Sequence, residues 1–170
     1  MIWIVSRGKQ FFRALSAKIT VEDEKYISHH LNEEEQKLFF AMSTEDQFHC
    51  VNVAYTIERF IIEDKKNIDR KFLIRCALLH DVGRVKGDLN TFQKVFAVLL
   101  TKFLPNLAKK LEQKGNHSIY IYNHHAEIGA RKLQKLNLFK ESKIIAKHHS
   151  PPRADDPEEL KFLRLADEKN

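Results

Sequence analysis

One stretch of the chain, residues 68–80, is apolar on nearly every side when it is drawn as a helix. Its apolar residues include Phe72, Leu73, Ile74, Cys76, Ala77, Leu78 and Leu79. A helix without a continuous polar face is stable in water only when other elements surround it. The chain must therefore fold with this helix at the centre of a larger assembly. Gly83, shortly after the stretch, is a typical residue at which such a helix stops.

The other segments also have helical patterns. Thr20 and Asn32 each precede acidic residues, an arrangement that caps a helix and suits the positive end of its dipole. Asp156-Pro157 is a typical helix start, with proline at the first helical position. Helical periodicity covers residues 43–63, 90–103, 124–136, 141–149 and 157–167, and residues 118–122 are the nearest candidate for a strand. The sequence therefore predicts an all-α fold.

Composition limits the class of protein. Of the 170 residues, 43% are hydrophobic and 31% are charged, which is typical of a globular domain and not of a disordered chain. No apolar run reaches the roughly 18 residues that span a bilayer. The 5 glycines and 4 prolines are too few for a turn-rich β protein. Cys50 and Cys76 lie within helical patterns, so we interpret them as reduced packing residues of a cytoplasmic protein.

We expect one compact unit in which N-terminal helices of residues 1–42 pack on a core of residues 43–170. The first twenty residues contain Arg7, Lys9, Arg13 and Lys18 but no acidic residue, and their apolar side chains share one helical arc. This pattern fits a helix packed in the bundle, which we favour, a helix that makes a peripheral membrane contact, or a targeting presequence. The net charge of +6 suits an anionic substrate or surface.

Histidines and acids recur on the apolar faces of the predicted helices. They are His49 with Glu45 one turn before it, His80 and Asp81 at the end of the central helix, His125, the pair His148 and His149, and Asp167. Taken singly, each could be a core histidine, a helix cap or a salt-bridge partner. Together they require several independent coincidences, because a buried charge without a partner costs several kcal/mol. We therefore expect these side chains to meet around metal ions.

Imidazole and carboxylate ligands without thiolate suit Fe, Mn, Co, Ni or Zn better than Cu(I). His49, His80, Asp81 and Asp167 can hold one divalent ion, and His125, His148 and His149 add enough ligands for a second, with Asp81 as the natural bridge. Two such ions clamp the attacking and leaving oxygens of a displacement and generate hydroxide near neutral pH. Glu45 could ligate a further ion, orient a histidine or cap its helix.

The order of these motifs resembles that of the HD-domain metal-dependent phosphohydrolase superfamily, and it is most similar to the HDIG-type branch. The motifs are His49, then Ala-Leu-Leu-His80-Asp81-Val-Gly-Arg84, then His125-Ala-Glu-Ile-Gly-Ala, then Ile-Ala-Lys-His148-His149, then Leu-Ala-Asp167. The resemblance covers residues 43–170 and implies an all-α domain with five core helices. It also implies that His49, the His80-Asp81 pair and Asp167 are the core ligands, and that the remaining histidines complete a second site.

At three positions the sequence departs from the patterns of known branches of this superfamily. Relatives often have lysine at the position of Arg84. Arginine keeps the positive charge but differs from lysine in reach. Ser-Pro-Pro-Arg153 follows the histidine pair, in place of the Gly-Tyr-Pro signature of cyclic dinucleotide phosphodiesterases. The acidic pair that follows the motif in stringent-response hydrolases is replaced by Val-Gly-Arg84. A small relative that splits diadenosine polyphosphates shares the extra histidines and the short length.

The resemblance implies hydrolysis of a phosphoester or phosphoanhydride bond, in a nucleotide or dinucleoside polyphosphate. We expect His80, Asp81 and Arg84 to be catalytic. Candidates for gripping substrate phosphates are Arg84, Lys86, Lys147 and Arg153, for each of which a solvated surface charge is the alternative. Two other functions remain open, namely a nucleotide-sensing module without turnover and a di-iron oxygenase that uses the same ligand set. No interleaved basic and aromatic pattern indicates nucleic-acid binding.

Overall fold

In the computed structural model, which describes residues 17–64 and 68–170, every regular element is a helix. The nine helices of this part are α1 (Val21–His30), α2 (Glu33–Phe40), α3 (Thr44–Asp64), α4 (Arg70–Leu79), α5 (Thr91–Phe103), α6 (Pro105–Gln113), α7 (His117–Lys135), α8 (Phe139–Ile145) and α9 (Glu158–Lys169). The all-α prediction is confirmed. None of the described helices is long and apolar enough to cross a membrane.

The first two helices begin at the predicted caps. The Thr20 hydroxyl accepts a hydrogen bond from the Asp23 backbone N–H at 3.1 Å, and the Asp23 carboxylate accepts one from the Thr20 N–H at 2.9 Å. Asn32 and Glu35 make the same reciprocal pair, with both distances 3.0 Å. These capping boxes satisfy N–H groups that the first turn of a helix leaves free.

Asn32→Ala tests the contribution of such a cap. The substitution removes the acceptor for the Glu35 N–H, so we expect the free energy of unfolding to fall by about 1 kcal/mol. Urea denaturation followed by circular dichroism measures this change. Ser28→Ala, at an exposed position within α1 whose hydroxyl bonds only the Lys25 carbonyl, is the control and should change the free energy by less than about 0.5 kcal/mol. Equal effects from the two substitutions would contradict the capping role.

Helix α4 lies at the centre of the bundle, as its sequence predicts. It packs along α3 and also contacts α1, α2, α8 and α9. Its side chains Leu73, Ile74, Leu78 and Leu79 are completely buried in the main hydrophobic core. Because this central helix ends at Leu79, the next two residues, His80 and Asp81, lie in the middle of the protein.

Several boundaries differ from the predicted ones. Helix α7 begins at His117 and not near residue 124, because the Asn116 side chain caps it, and residues 118–122 are helical. Helix α6, which starts with Pro105 in the first turn, was not predicted. Helix α8 ends at Ile145, so His148 and His149 lie in the turn that follows it. Pro157 is the N-cap of α9 and not its first helical residue.

Helices α5 and α6 form an arm on one side of the bundle. They pack against each other and against α7 through a small cluster of Leu100, Ala108 and Ile119, separate from the main core. The arm exposes apolar side chains at Val95, Phe96, Leu99, Leu104 and Leu107. The predicted basic N-terminal helix lies mostly in residues 1–16, outside the described residues, so a peripheral membrane contact stays a prediction.

Candidate metal centre

Five parts of the chain bring histidine and aspartate side chains to one place in the interior. Helix α3 supplies His49, the end of α4 supplies His80 and Asp81, helix α7 supplies His125, the turn after α8 supplies His148 and His149, and α9 supplies Asp167. Their ligand atoms fall into three overlapping groups, and within each group all lie within 4.8 Å of one another. Side chains up to 118 positions apart in sequence therefore meet.

Two of the groups lie on the side of the cluster nearest α3 and α9. One contains His49, His80 and Asp81, and the other contains His80, His148 and Asp167. The Nε2 atom of His49 is 3.0 Å from Oδ1 of Asp167, and Nε2 of His80 is 3.8 Å from the same oxygen. This side holds the four residues expected to bind one ion.

The third group lies on the other side of Asp81 and contains His125, His148 and His149 with that aspartate. Oδ1 of Asp81 is 3.3 Å from Nε2 of His125 and 3.8 Å from Nε2 of His148. The other oxygen, Oδ2, is 3.7 Å from Nε2 of His80. The two carboxylate oxygens thus face different groups, which is the arrangement expected of a bridging ligand.

Three of the rings are oriented by the same local contact. Nδ1 of His80, His125 and His148 lies 2.7, 2.8 and 2.7 Å from the backbone carbonyl three residues earlier, in Ala77, Tyr122 and Ile145. A carbonyl only accepts, so Nδ1 carries the hydrogen and donates it. In the neutral ring Nε2 then has a free lone pair, and in all three residues that atom faces the cluster. Such a contact is typical of metal-binding histidines.

Several of the inward atoms have no hydrogen-bond partner within residues 17–64 and 68–170. They are Nε2 of His80, Nε2 of His148 and Oδ1 of Asp81, all fully buried. A buried polar atom left without a partner costs about 1–3 kcal/mol. All three can donate a lone pair to a cation, and each of the three residues belongs to two of the ligand groups. The residues present therefore fit a divalent metal ion.

The charges of the cluster also suit metal binding. Burial and neighbouring imidazoles hold the pKa of His148 well below its usual value, and burial lowers the pKa of His149 to about 4. Burial alone would raise the pKa of Asp167, but its hydrogen bond with His49 holds it far below the usual carboxyl range. Neutral imidazole and ionised carboxylate are the forms that bind metals.

His80 behaves differently, because burial would lower its pKa but Cys50, Asp81 and Asp167 raise it to about 10. The surroundings of this ring therefore favour positive charge. A proton on Nε2 would find no hydrogen-bond acceptor within reach, since the nearest carboxylate oxygens are 3.7 and 3.8 Å away. A metal ion is a better source of that charge, because it binds ligands without needing a hydrogen-bond geometry.

Arg84 also reaches into the cluster. Its Nη1 donates to Oδ2 of Asp81 and lies 3.4 Å from Oδ1 of Asp46, and its Nη2 donates to Nε2 of His125 at 3.0 Å. The side chain is only 14% exposed. A guanidinium in this position carries a fixed positive charge beside the predicted ligands.

The remaining predicted residues lie outside the cluster. Glu45 accepts a hydrogen bond from the Thr91 hydroxyl at 2.7 Å, and among the described residues it belongs to none of the ligand groups. Lys86, Lys147 and Arg153 have exposed side chains, and Arg153 pairs with Asp155 at 3.2 Å.

A family model described as HD domain matches residues 48–169. The chain belongs to the HD domain family. No curated protein and no solved structure matches the chain. The matched range contains every member of the cluster, from His49 to Asp167. Membership in this family places the chain in a superfamily of metal-dependent hydrolases, and its His/Asp cluster could hold a metal ion.

Two residues that support Arg84 beside the centre, Asp46 directly and Lys94 through Asp46, were not predicted from the sequence. Asp46 is 5% exposed and lies between Arg84 and Lys94, whose Nζ is 2.8 Å from Oδ1 of Asp46. Asp46 also accepts from the Ser43 hydroxyl at 2.7 Å, so in the sequence it has the pattern of an ordinary capping residue. The contact of Lys94 with Asp46 could not be predicted, because no sequence pattern relates two positions that are 48 residues apart.

Two further contacts of the HD domain set the position of its ligands. A Cβ on Gly83 would lie 1.9 Å from the His125 carbonyl oxygen, so the absence of a side chain lets α7 approach the His80-Asp81 turn. Gly83 therefore serves for close packing and does not end α4, which stops four residues earlier. Lys132 of α7 donates to the Val82 carbonyl at 2.7 Å across the same contact.

On the opposite side, Arg164 joins α9 to the turn that carries the histidine pair. Its guanidinium donates to the carbonyls of Lys147 at 2.8 Å and His148 at 3.2 Å, and to the Asp156 carboxylate at 2.6 Å. Arg164 is one turn before Asp167 on α9. The two predicted ligands His148 and Asp167 are therefore positioned by a shared set of hydrogen bonds.

Proposed function

We propose that this HD domain hydrolyses a phosphoester or phosphoanhydride bond, in a nucleotide or a dinucleoside polyphosphate. The main support is the set of inward lone pairs on His80, His148 and Asp81, which are buried, without hydrogen-bond partners and suited to a cation. Asp81, which belongs to two of the three ligand groups and turns one oxygen toward His80 and the other toward His125, supports a centre of one or two ions. Membership in the HD domain family supports hydrolysis as the reaction.

The proposed ligands are His49, His80, Asp81, His125, His148, His149 and Asp167. Their nitrogen and oxygen donors suit Fe, Mn, Co, Ni or Zn. When bound, such ions supply activated water and neutralise charge on phosphate oxygens. Glu45 is not included, because Thr91 and Lys94 already engage its carboxylate.

The protein's own residues have separate roles in this proposal. Asp81 and His80 hold the ion and fix its position, through a carboxylate and a ring that the Ala77 carbonyl orients. Arg84 presents a guanidinium whose fork geometry matches two oxygens of a phosphate group. Asp46 positions Arg84 through the same Nη1 atom that donates to Asp81. The surface cations Lys86, Lys147 and Arg153 remain candidates for contacting the distal part of a long substrate.

Metal analysis of paired histidine variants tests the proposal. His80→Ala removes a buried ligand, so we expect metal affinity to fall by at least about 100-fold, a loss of about 2.7 kcal/mol. His117→Ala is the matched control, because His117 is exposed and pairs only with Asp88, and it should retain the metal. Elemental analysis after dialysis measures both. Retention of metal by His80→Ala would contradict the proposed site.

A phosphate-release screen of nucleotides and dinucleoside polyphosphates, with and without chelator, then tests the reaction. Saturable binding of a nucleotide without product would favour a sensing module instead. Oxygen consumption by the iron-loaded protein would favour an oxygenase with the same ligand set. For the hydrolase, we expect release that chelator abolishes and added metal restores. Metal at about 100 times its Kd should also stabilise the fold by about 2.7 kcal/mol.

A further inference from the structure

The guanidinium of Arg84 donates to Nε2 of His125, a ligand atom that a second metal ion would need. We propose that Arg84 takes the place of the second cation, so that the resting centre binds one ion and admits another only when Arg84 turns away. A substrate phosphate is the chemical group that draws Arg84 away. This inference rests on the proposed function, because it concerns the same metal centre.

The bond between Arg84 and His125 carries the inference. Nδ1 of His125 donates its hydrogen to the Tyr122 carbonyl, so Nε2 offers one lone pair. Nη2 of Arg84 donates to that lone pair at 3.0 Å. A lone pair that accepts this hydrogen bond cannot also bind a metal ion. His125 is therefore available to a metal only after Arg84 has moved.

The atoms that Arg84 leaves free lie together elsewhere in the cluster. Nε2 of His80 and Nε2 of His148 have no partner and form a ligand group with Asp167. Oδ1 of Asp81, also without a partner, lies 3.8 Å from Nε2 of His148. An ion held by His80, His148 and Asp167 would satisfy both orphaned imidazole nitrogens while the bond between Arg84 and His125 stays intact.

The charges of the cluster also favour binding of one ion while Arg84 is in place and of a second ion only after it has moved. Asp81 and Asp167 bring two negative charges to the cluster, and Arg84 neutralises part of this charge through its bond to Asp81. One divalent ion then gives the buried site a net positive charge. A second ion beside an unmoved guanidinium would add repulsion between like charges in a medium of low dielectric constant.

The structure also provides a way for Arg84 to leave. Asp46 keeps a cationic partner when Arg84 turns away, because Lys94 lies 2.8 Å from the same Asp46 oxygen that Arg84 approaches at 3.4 Å. The Arg84 side chain is 14% exposed and so reaches the solvent-facing edge of the cluster. A phosphate group offers it two oxygens in place of Asp81 and His125. Phosphate binding and binding of the second ion should therefore strengthen each other, as linked equilibria require.

Equilibrium dialysis against Mn²⁺ or Co²⁺, followed by elemental analysis, tests this without an activity assay. We expect the unaltered protein to hold one ion per chain at concentrations where Arg84→Gln and Arg84→Ala hold two. The variants should bind the second ion at least about tenfold more tightly. Lys135→Gln removes the same charge from an exposed position at the end of α7 and should still bind one ion. Circular dichroism and retention of the first ion identify folded variants.

The unaltered protein gives a second test that needs no substitution. Inorganic phosphate should raise its content from one ion toward two at a fixed metal concentration. Two ions in the unaltered protein without phosphate, or one ion in a folded Arg84→Gln variant, would overturn the inference and leave the proposed function in place. No effect of phosphate would overturn the coupling. Absence of any bound metal in the unaltered protein would overturn the proposed function itself.

Discussion

Asp81→Ala should abolish both metal retention and hydrolysis. Among the described residues, Asp81 is the carboxylate that belongs to two of the ligand groups, so its loss removes a ligand from each proposed ion position. The change also leaves Arg84 without its nearest counter-charge in a buried site. We expect kcat/KM to fall by at least about a thousandfold, which corresponds to about 4 kcal/mol of transition-state stabilisation. Initial rates and elemental analysis of the same preparation measure the two effects.

Glu34→Ala is the control for this substitution. Glu34 is exposed on α2, which supplies no predicted ligand, and it pairs with exposed Lys37, so its loss should change neither the rate nor the metal content. Circular dichroism separates loss of the centre from loss of the fold. An Asp81→Ala protein with undiminished activity and metal would refute the proposed mechanism.

Gly83→Ala should be the most destabilising small substitution near the centre. The added Cβ would lie 1.9 Å from the His125 carbonyl oxygen and 2.6 Å from its carbonyl carbon. Both atoms belong to the backbone of α7, which cannot avoid the methyl group by a change of rotamer. Either α7 or the His80-Asp81 turn must shift, and the expected cost is about 3 kcal/mol or more. Urea denaturation measures this cost.

Gly129→Ala gives a graded comparison on the same interface. A Cβ there would lie 3.1 Å from the Gly83 backbone nitrogen, a contact that small movements relieve. We expect a loss of about 1 kcal/mol. If Gly83→Ala fails to fold, the comparison still holds, because Gly129→Ala should yield a folded protein. Equal and small effects at both positions would show that α7 does not press against the turn as described.

Helical periodicity predicted much of the fold and told which histidine of a pair faces inward. The pattern of Ile128 and Leu133 places His125 on the apolar face and His124 away from it. In the structure His125 is buried, whereas His124 is partly exposed and pairs with Glu112 at 2.8 Å. The apolar run of α4 likewise predicted a central helix. Each of these two inferences concerns the faces of a single helix. The residues that determine those faces are close together in the sequence, so the sequence alone is sufficient.

Contacts between helices could not be predicted in this way. The bonds of Arg84 with His125 and of Lys94 with Asp46 depend on how three helices cross, and periodicity says nothing about crossing positions. The predicted end of α8 was wrong. The helical pattern of Ile144 and Ile145 continues in the sequence through His148 and His149, although the backbone leaves the helix after Ile145. Gly83 was assigned to a helix stop, since a close approach of another backbone leaves no mark on the local sequence.

The hydrogen bonds of Arg164 have a consequence for how the parts of the domain move. They tie α9 to the turn that carries the histidine pair, so these two parts should move together as one rigid piece. The α5–α6 arm has a small apolar cluster of its own and is joined to α3 by Thr91 and Lys94. Local opening should therefore concentrate in the arm and leave the ligands on α9 and the histidine turn in place.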